Sequence, residues 1–178
     1  MATPFSDSVV DWPIPRLLDH IVGNHHAFVR SALPAIATQL ARLEIGDGAR
    51  HPELKKIEDV FGRLSHELEM HLLKEEQILF PYIRELAEAG NAPTTSPFGS
   101  VANPIRMMEH EHLEADEALR EIRTLTDDYR APADAGAAYA ECMQALEQFE
   151  VDLHRHIQLE NEILFPRAVA LESGVTTS

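Results

Sequence analysis

Along four long stretches of this chain, apolar residues recur at alternating spacings of three and four, the period of a helix that buries one stripe. No segment alternates with the two-residue period of a strand. Clusters of Gly, Pro, Asn and Thr separate the stretches and read as breakers. The pattern predicts a first helix from about Pro15 to Glu44, closed by Gly46-Asp47-Gly48, and a second opened by His51-Pro52 and ending near Glu88, before Gly90-Asn91. A third helix starts at Asn103, an N-cap followed by Pro104 at the first helical position, and runs to about Tyr129. After the turn Ala131-Pro132-Ala133-Asp134 a fourth extends from about Ala135 to Leu171. Pro34, Pro81 and Pro166 lie inside or near the ends of these spans and predict kinks or early stops. The expected fold is all-α, an up-down-up-down four-helix bundle over residues 16–171. An N-terminal arm of residues 1–15, pinned by Phe5 and Trp12, precedes it, and a flexible tail of residues 172–178 follows.

The stripes contain polar residues that a core does not ordinarily accept. Helix two presents Ile57, Phe61, Leu64, Leu68, His71, Glu75, Ile78 and Tyr82 inward, which leaves His66 off the seam. Helix three presents Ile105, Met108, His112, Ala115, Leu119 and Ile122, selecting His112 over His110. Helix four presents Cys142, Leu146, Phe149, Leu153, His156, Glu160 and Ile163, selecting His156 over His154. On helix one the alternation through Leu43, Leu40, Ile36, Leu33, Val29, His26 and Val22 keeps His26 inside, whereas His25 breaks it. His20, His25, His51, His66, His110 and His154 therefore read as surface or helix-terminus residues.

The chain also repeats itself. HLLKEEQILFP at 71–81 and HIQLENEILFP at 156–166 share the form H-x-x-x-E-x-x-I-L-F-P, and His26 and His112 precede the two copies at nearly equal distances. Two helical hairpins follow, each with one single-His helix and one His-x-x-x-Glu helix.

Glu75 and Glu160 carry the chemical argument. An ionised carboxylate costs on the order of several kcal/mol to bury unless positive charge accompanies it, and no Lys or Arg occupies the stripes beside them. A pair of metal ions supplies that charge. The i to i+4 spacing puts each His and Glu one turn apart on one face, within reach of a common centre. Four imidazoles and two carboxylates are too rich in nitrogen for calcium or magnesium and lack the thiolate of structural zinc, a mixture that suits iron. The expected arrangement has His26 and His156 on one iron, His71 and His112 on the other, and Glu75 and Glu160 bridging both, with an oxo or hydroxo group completing the bridge.

Composition narrows the setting. At 178 residues the chain is long enough to bury a core without accessory staples, so a metal has to be explained by function. Its single cysteine, Cys142, cannot form an internal disulfide and reads as a buried small residue of helix four. Thirty acidic residues against fifteen basic ones give a formal charge of -15, which repels phosphate backbones and anionic lipid and argues against nucleic-acid or membrane partners. With neither a signal-peptide pattern nor an apolar run of about 20 residues, the expected location is cytoplasmic.

LLDHI before His26, HLLKEEQILFP, MEHEH ending in His112, and HIQLENEILFPRA together resemble the hemerythrin-like family over roughly Leu17 to Ala168. The chain is most similar to the di-iron domain of bacterial proteins for the repair of iron centres. That resemblance implies a hemerythrin-type bundle and places His26, His71, Glu75, His112, His156 and Glu160 on the di-iron ligands. Oxygen-carrying hemerythrins use five histidines, with the last carboxylate one residue further from its histidine, and this chain offers four. Repair proteins commonly carry a small N-terminal domain with adjacent cysteines, where this sequence has the short arm Met1 to Pro15. The implied function is a non-haem di-iron protein of nitrosative or oxidative stress, reacting with nitric oxide or peroxide or supplying iron for iron-sulfur cluster repair. The competing function is reversible oxygen or nitric oxide binding, for storage or sensing, without turnover. Turnover calls for an external electron donor, since no G-x-G-x-x-G nucleotide motif is present.

Overall fold

The structure is a computed structural model that describes residues 7–89 and 98–174. Among these, every regular element is a helix. After one turn at Asp7–Val10, helix α1 runs without a break through Ile14–His20, Ile21–His26 and Ala27–Asp47. Helix α2 is built likewise from Glu53–Lys74, Glu75–Leu79 and Phe80–Ala89; α3 is Ala102–Leu125; and α4 joins Ala137–Leu159, Glu160–Leu164 and Phe165–Glu172. Each helix packs on its chain neighbours, and α1 closes the ring against α4. The all-α four-helix bundle expected from the stripes is the observed fold. No helix among the described residues is long and apolar enough to cross a membrane.

The middle segments of α1, α2 and α4 are π-turns, in which one extra residue widens the helix. Phe80 N–H reaches the Glu75 carbonyl and Phe165 N–H the Glu160 carbonyl, five residues back in both cases. Pro81 and Pro166 follow immediately. A proline in an α-helix leaves the carbonyl four residues earlier without a donor and crowds it, and a widened turn at that point relieves the clash. The two helices therefore continue past their prolines to Ala89 and Glu172, within a residue of the ends expected near Glu88 and Leu171, and the prolines mark widened turns rather than stops. Pro34 also sits within an uninterrupted segment, Ala27–Asp47.

Each π-turn slips the buried face by about a residue. On α2 the inward position after Glu75 is Leu79, 2 % exposed, whereas Ile78 is 50 % exposed, a correction to the seam drawn from strict alternation. On α1 the same slip buries Ile21 and His25 together with His26.

Helix α3 ends at Leu125, short of Tyr129. Asp127, Asp128 and Tyr129 have φ of 47°, 63° and 58°, a left-handed turn that no helix can continue. Thr126 Oγ1 accepts from the Tyr129 N–H at 3.0 Å and holds the turn. At the other end Asn103 is not the cap. Its side chain donates to the Phe98 carbonyl, and the Val101 N–H is satisfied instead by the Glu172 carboxylate at 2.9 Å. Ser100 and Tyr82 hydroxyls donate to the same carboxylate, so Glu172 belongs to the bundle. Trp12 meets the bundle as expected, its carbonyl accepting from Arg167 at 2.7 Å and its ring edge-on to His20, while Phe5 lies outside the described residues.

Two apolar clusters fill the interior. One gathers Leu33, Leu40, Ile57, Phe61, Leu119, Leu146 and Phe149, and the other Leu17, Ile21, Phe80, Ile83, Ile105, Leu164 and Phe165. The polar layer lies between them.

Candidate metal centre

All six side chains selected by the stripes converge in that layer. They form two overlapping groups, His26, His156, Glu75 and Glu160, and His71, His112, Glu75 and Glu160, each with donor atoms within 4.8 Å of one another. The two carboxylates belong to both groups. Glu75 lies 3.4 Å from His26 through Oε2 and 3.4 Å from His71 through Oε1. Glu160 lies 2.9 Å from His156 through Oε1 and 3.2 Å from His112 through Oε2. Within each group the paired imidazoles approach Nε2 to Nε2 at 3.1 Å. Two imidazole nitrogens about 2.1 Å from one first-row ion, at a right angle, lie roughly 3 Å apart, so both pairs are spaced to share an ion.

Burial makes the layer electrostatically incomplete. Glu75, Glu160, His26 and His156 are wholly shielded from solvent, and His71 and His112 nearly so. Both Glu75 oxygens and Glu160 Oε2 accept no hydrogen bond, and among the described residues no Lys or Arg pairs with either acid. Burial and the neighbouring Glu160 push the Glu75 carboxyl up, but His71 and His26 outweigh them and leave it below its ordinary value. Burial acts on Glu160 in the same way, and His156, His112 and His26 hold it well below the carboxylate range. Burial pulls His26 and His71 down, yet the carboxylates raise them to about 9 and about 10. Without an ion, protons on the imidazoles serve as the counter-charge. A pair of cations does so with the donors already present, and the residues fit such a pair.

A second ring of residues aims the imidazoles. His26 Nδ1 donates to Glu76 at 2.7 Å, and Arg30 braces Glu76 at 2.8 Å. His71 Nδ1 donates to Glu111 at 2.8 Å, with Lys74 on the same carboxylate, which they hold down at about 2 against the upward push of burial. His112 Nδ1 donates to Asn161 Oδ1 at 3.0 Å. Such partners fix which ring nitrogen faces a metal. Sequence periodicity missed all three, because they lie beside the inward stripe; the available signal was adjacency, each being the immediate neighbour of a candidate ligand.

The other histidines divide as follows. His66, His110 and His154 are exposed, and His20 is half-buried. His51 is buried at the helix terminus before α2, between Glu53 and Asp134. His25 is buried too, with its ring stacked on His156, so its expected surface position is corrected by the π-turn. Cys142 is fully buried and its thiol is pushed up to about 12 by that burial, as suits a packing residue. Between α2 and α3 a cavity of about 220 Å³, bordered by Leu64, Leu68, Met70, Lys74 and Ala115, reaches His71 and His112.

The chain is 35 % identical to the iron-sulfur cluster repair protein YtfE of Escherichia coli O157:H7, over 91 % of its own length and 70 % of that protein's. It is 34 % identical, with the same coverage, to the protein of that name from Escherichia fergusonii. Residues 17–168, which contain all six converging side chains, match the Hemerythrin HHE cation binding domain, and the chain belongs to that family.

Proposed function

We propose that His26, His71, Glu75, His112, His156 and Glu160 hold two iron ions, His26 with His156 on one and His71 with His112 on the other, while Glu75 and Glu160 bridge both beside an oxo or hydroxo group. The carrying observation is the pair of fully buried carboxylates, each presenting one oxygen to either half of the layer and, among the described residues, paired with no Lys or Arg. Bound there, two adjacent iron ions supply redox chemistry toward a small diatomic molecule or peroxide. The chain's own residues do the rest. Glu76, Glu111 and Asn161 orient the imidazoles, Leu68, Phe80 and Phe165 help to exclude bulk water, and the cavity beside Met70 gives a small molecule an approach to His71 and His112.

The function that best joins this site to its relatives is a stress-response iron protein, one that reacts with nitric oxide or peroxide or supplies iron for iron-sulfur cluster repair with an external electron donor. The named repair proteins of Escherichia support that reading. The test begins with elemental analysis after iron-replete expression, expected to give about two irons per chain. Anaerobic di-ferrous protein is then mixed in turn with oxygen, nitric oxide and peroxide. Sustained nitrous oxide formation or peroxide consumption with reductant, or iron transfer to an apo cluster protein, supports the proposal. Reversible oxygenation with no product and no transfer supports storage instead.

A further inference from the structure

The polar layer is built twice, and its two copies differ at one hydrogen bond. His26 on α1 and His112 on α3 are counterparts, and each gives Nδ1–H to the residue that follows a bridging acid: Glu76 after Glu75, and Asn161 after Glu160. His71 on α2 and His156 on α4 are the other counterparts. His71 gives its Nδ1–H to Glu111, the residue before His112. The equivalent residue before His26 is His25, and it accepts no hydrogen bond from His156. Its own Nδ1 is turned to Asp152, 3.1 Å from both oxygens, and its ring lies nearly parallel to His156 with centroids 5.8 Å apart. His156 Nδ1 is left buried with no hydrogen-bond partner.

This gap matters only when a metal binds. An imidazole that gives Nε2 to an ion carries its hydrogen on Nδ1, and at His26, His71 and His112 an acceptor waits for it. His156 has none. In the metal-free layer it can direct an Nε2 hydrogen to Glu160 Oε1, 2.9 Å away. Binding an ion forces that hydrogen to Nδ1, where it is buried and unpaired, and burial of an unsatisfied donor is unfavourable. The penalty falls on one half of the layer alone.

We infer that His25 is a positioning residue that makes the two metal positions unequal, so that the His71–His112 position fills first and the His26–His156 position binds more weakly. The inference rests on the two-ion reading above. Loss of a histidine's outer hydrogen bond typically weakens a metal site about 10- to 100-fold, which sets the expected gap between the stepwise constants.

Anaerobic competition between the protein and a calibrated chelator, with ferrous ion alone as the probe, measures both constants. The wild-type chain should bind two ions with constants separated by about 10- to 100-fold. His25→Glu, which restores the carboxylate of the other copy, should narrow the gap by tightening the weaker position. Glu111→Leu should narrow it from the opposite side by weakening the stronger one, a change of direction that general destabilisation cannot mimic. His156→Ala should leave the tighter constant in place, and His71→Ala should remove it. Two equal constants in the wild type, or a gap that both His25→Glu and Glu111→Leu leave unchanged, would overturn the inference while the two-ion site stands. Fewer than two ions bound at saturation would instead overturn the two-ion reading itself.

Discussion

Glu150 on α4 and the pair formed by Glu75 and Glu160 are buried to nearly the same degree, 2 % exposed against 0 %, yet their charges are met in different ways. The Glu150 carboxylate receives hydrogen bonds from the Arg123 guanidinium, whose outer part reaches solvent and lies over the Tyr129 ring. Among the described residues Glu75 and Glu160 pair only with imidazoles, and three of their four oxygens accept no hydrogen bond. The first arrangement is complete as protein. The second is complete only with added positive charge, and that difference separates a buried structural acid from a candidate ligand.

The sharpest way to break the comparison is to delete a bridging acid. Glu75→Ala or Glu160→Ala should take iron from about two ions per chain to well under one, because each carboxylate serves both positions; unchanged iron content in both variants would refute the bridging roles. His26→Ala should cost the chain at least one ion, whereas His25→Ala should retain two, and the reverse result by the same elemental analysis would mean that α1 is rotated relative to its placement here. On the structural side, Arg123→Met should destabilise the fold by about 3 kcal/mol in denaturant unfolding, the low end for an uncompensated buried charge because solvent reaches this pair. That loss should be equal with and without metal. Glu75→Gln, by contrast, should remove most of the stabilisation that iron confers on the loaded protein.

The smallest effect concerns protons. His26 and His71, raised to about 9 and about 10 by the carboxylates, are charged at pH 7 in the metal-free layer and neutral as ligands. Iron loading at pH 7 should therefore release protons into a weakly buffered indicator solution, and the release should fade above about pH 10. Linkage has the same sign. The folded-state values exceed the ordinary 6.5, so the stability these groups lend the metal-free protein is full below pH 6.5 and is lost as pH rises through 9 and 10. Arg123, whose guanidinium the neighbouring carboxylate holds above its already high ordinary value, should show no such window. Urea unfolding of metal-free protein across that range checks the contrast.

Much of this was legible in the chain because the periodicity of a helix is local. Spacings of three and four assign a buried stripe without knowledge of any partner helix, and they brought His71, Glu75, His112, His156 and Glu160 inward correctly, with His26 on the weakest of the four stripes. The repeated H-x-x-x-E-x-x-I-L-F-P likewise announced two matched hairpins. Local periodicity failed where the helix itself changed pitch. The π-turns exchanged Ile78 for Leu79 and drew in His25, and no alternation rule anticipates an extra residue in a turn.

What the sequence by itself determined is the bundle and the composition of its polar layer, since both depend on which residues share a helix face. Only the tertiary structure decided how those residues are supported. The cap of α3 comes from Glu172 on α4, and the outer partners of the imidazoles come from neighbouring helices: Glu76 on α2 for α1, Glu111 on α3 for α2, and Asn161 on α4 for α3. Hydrogen bonds between helices depend on their relative rotation and depth, which packing sets after the helices have formed. The one missing bond at His156 belongs to that second class.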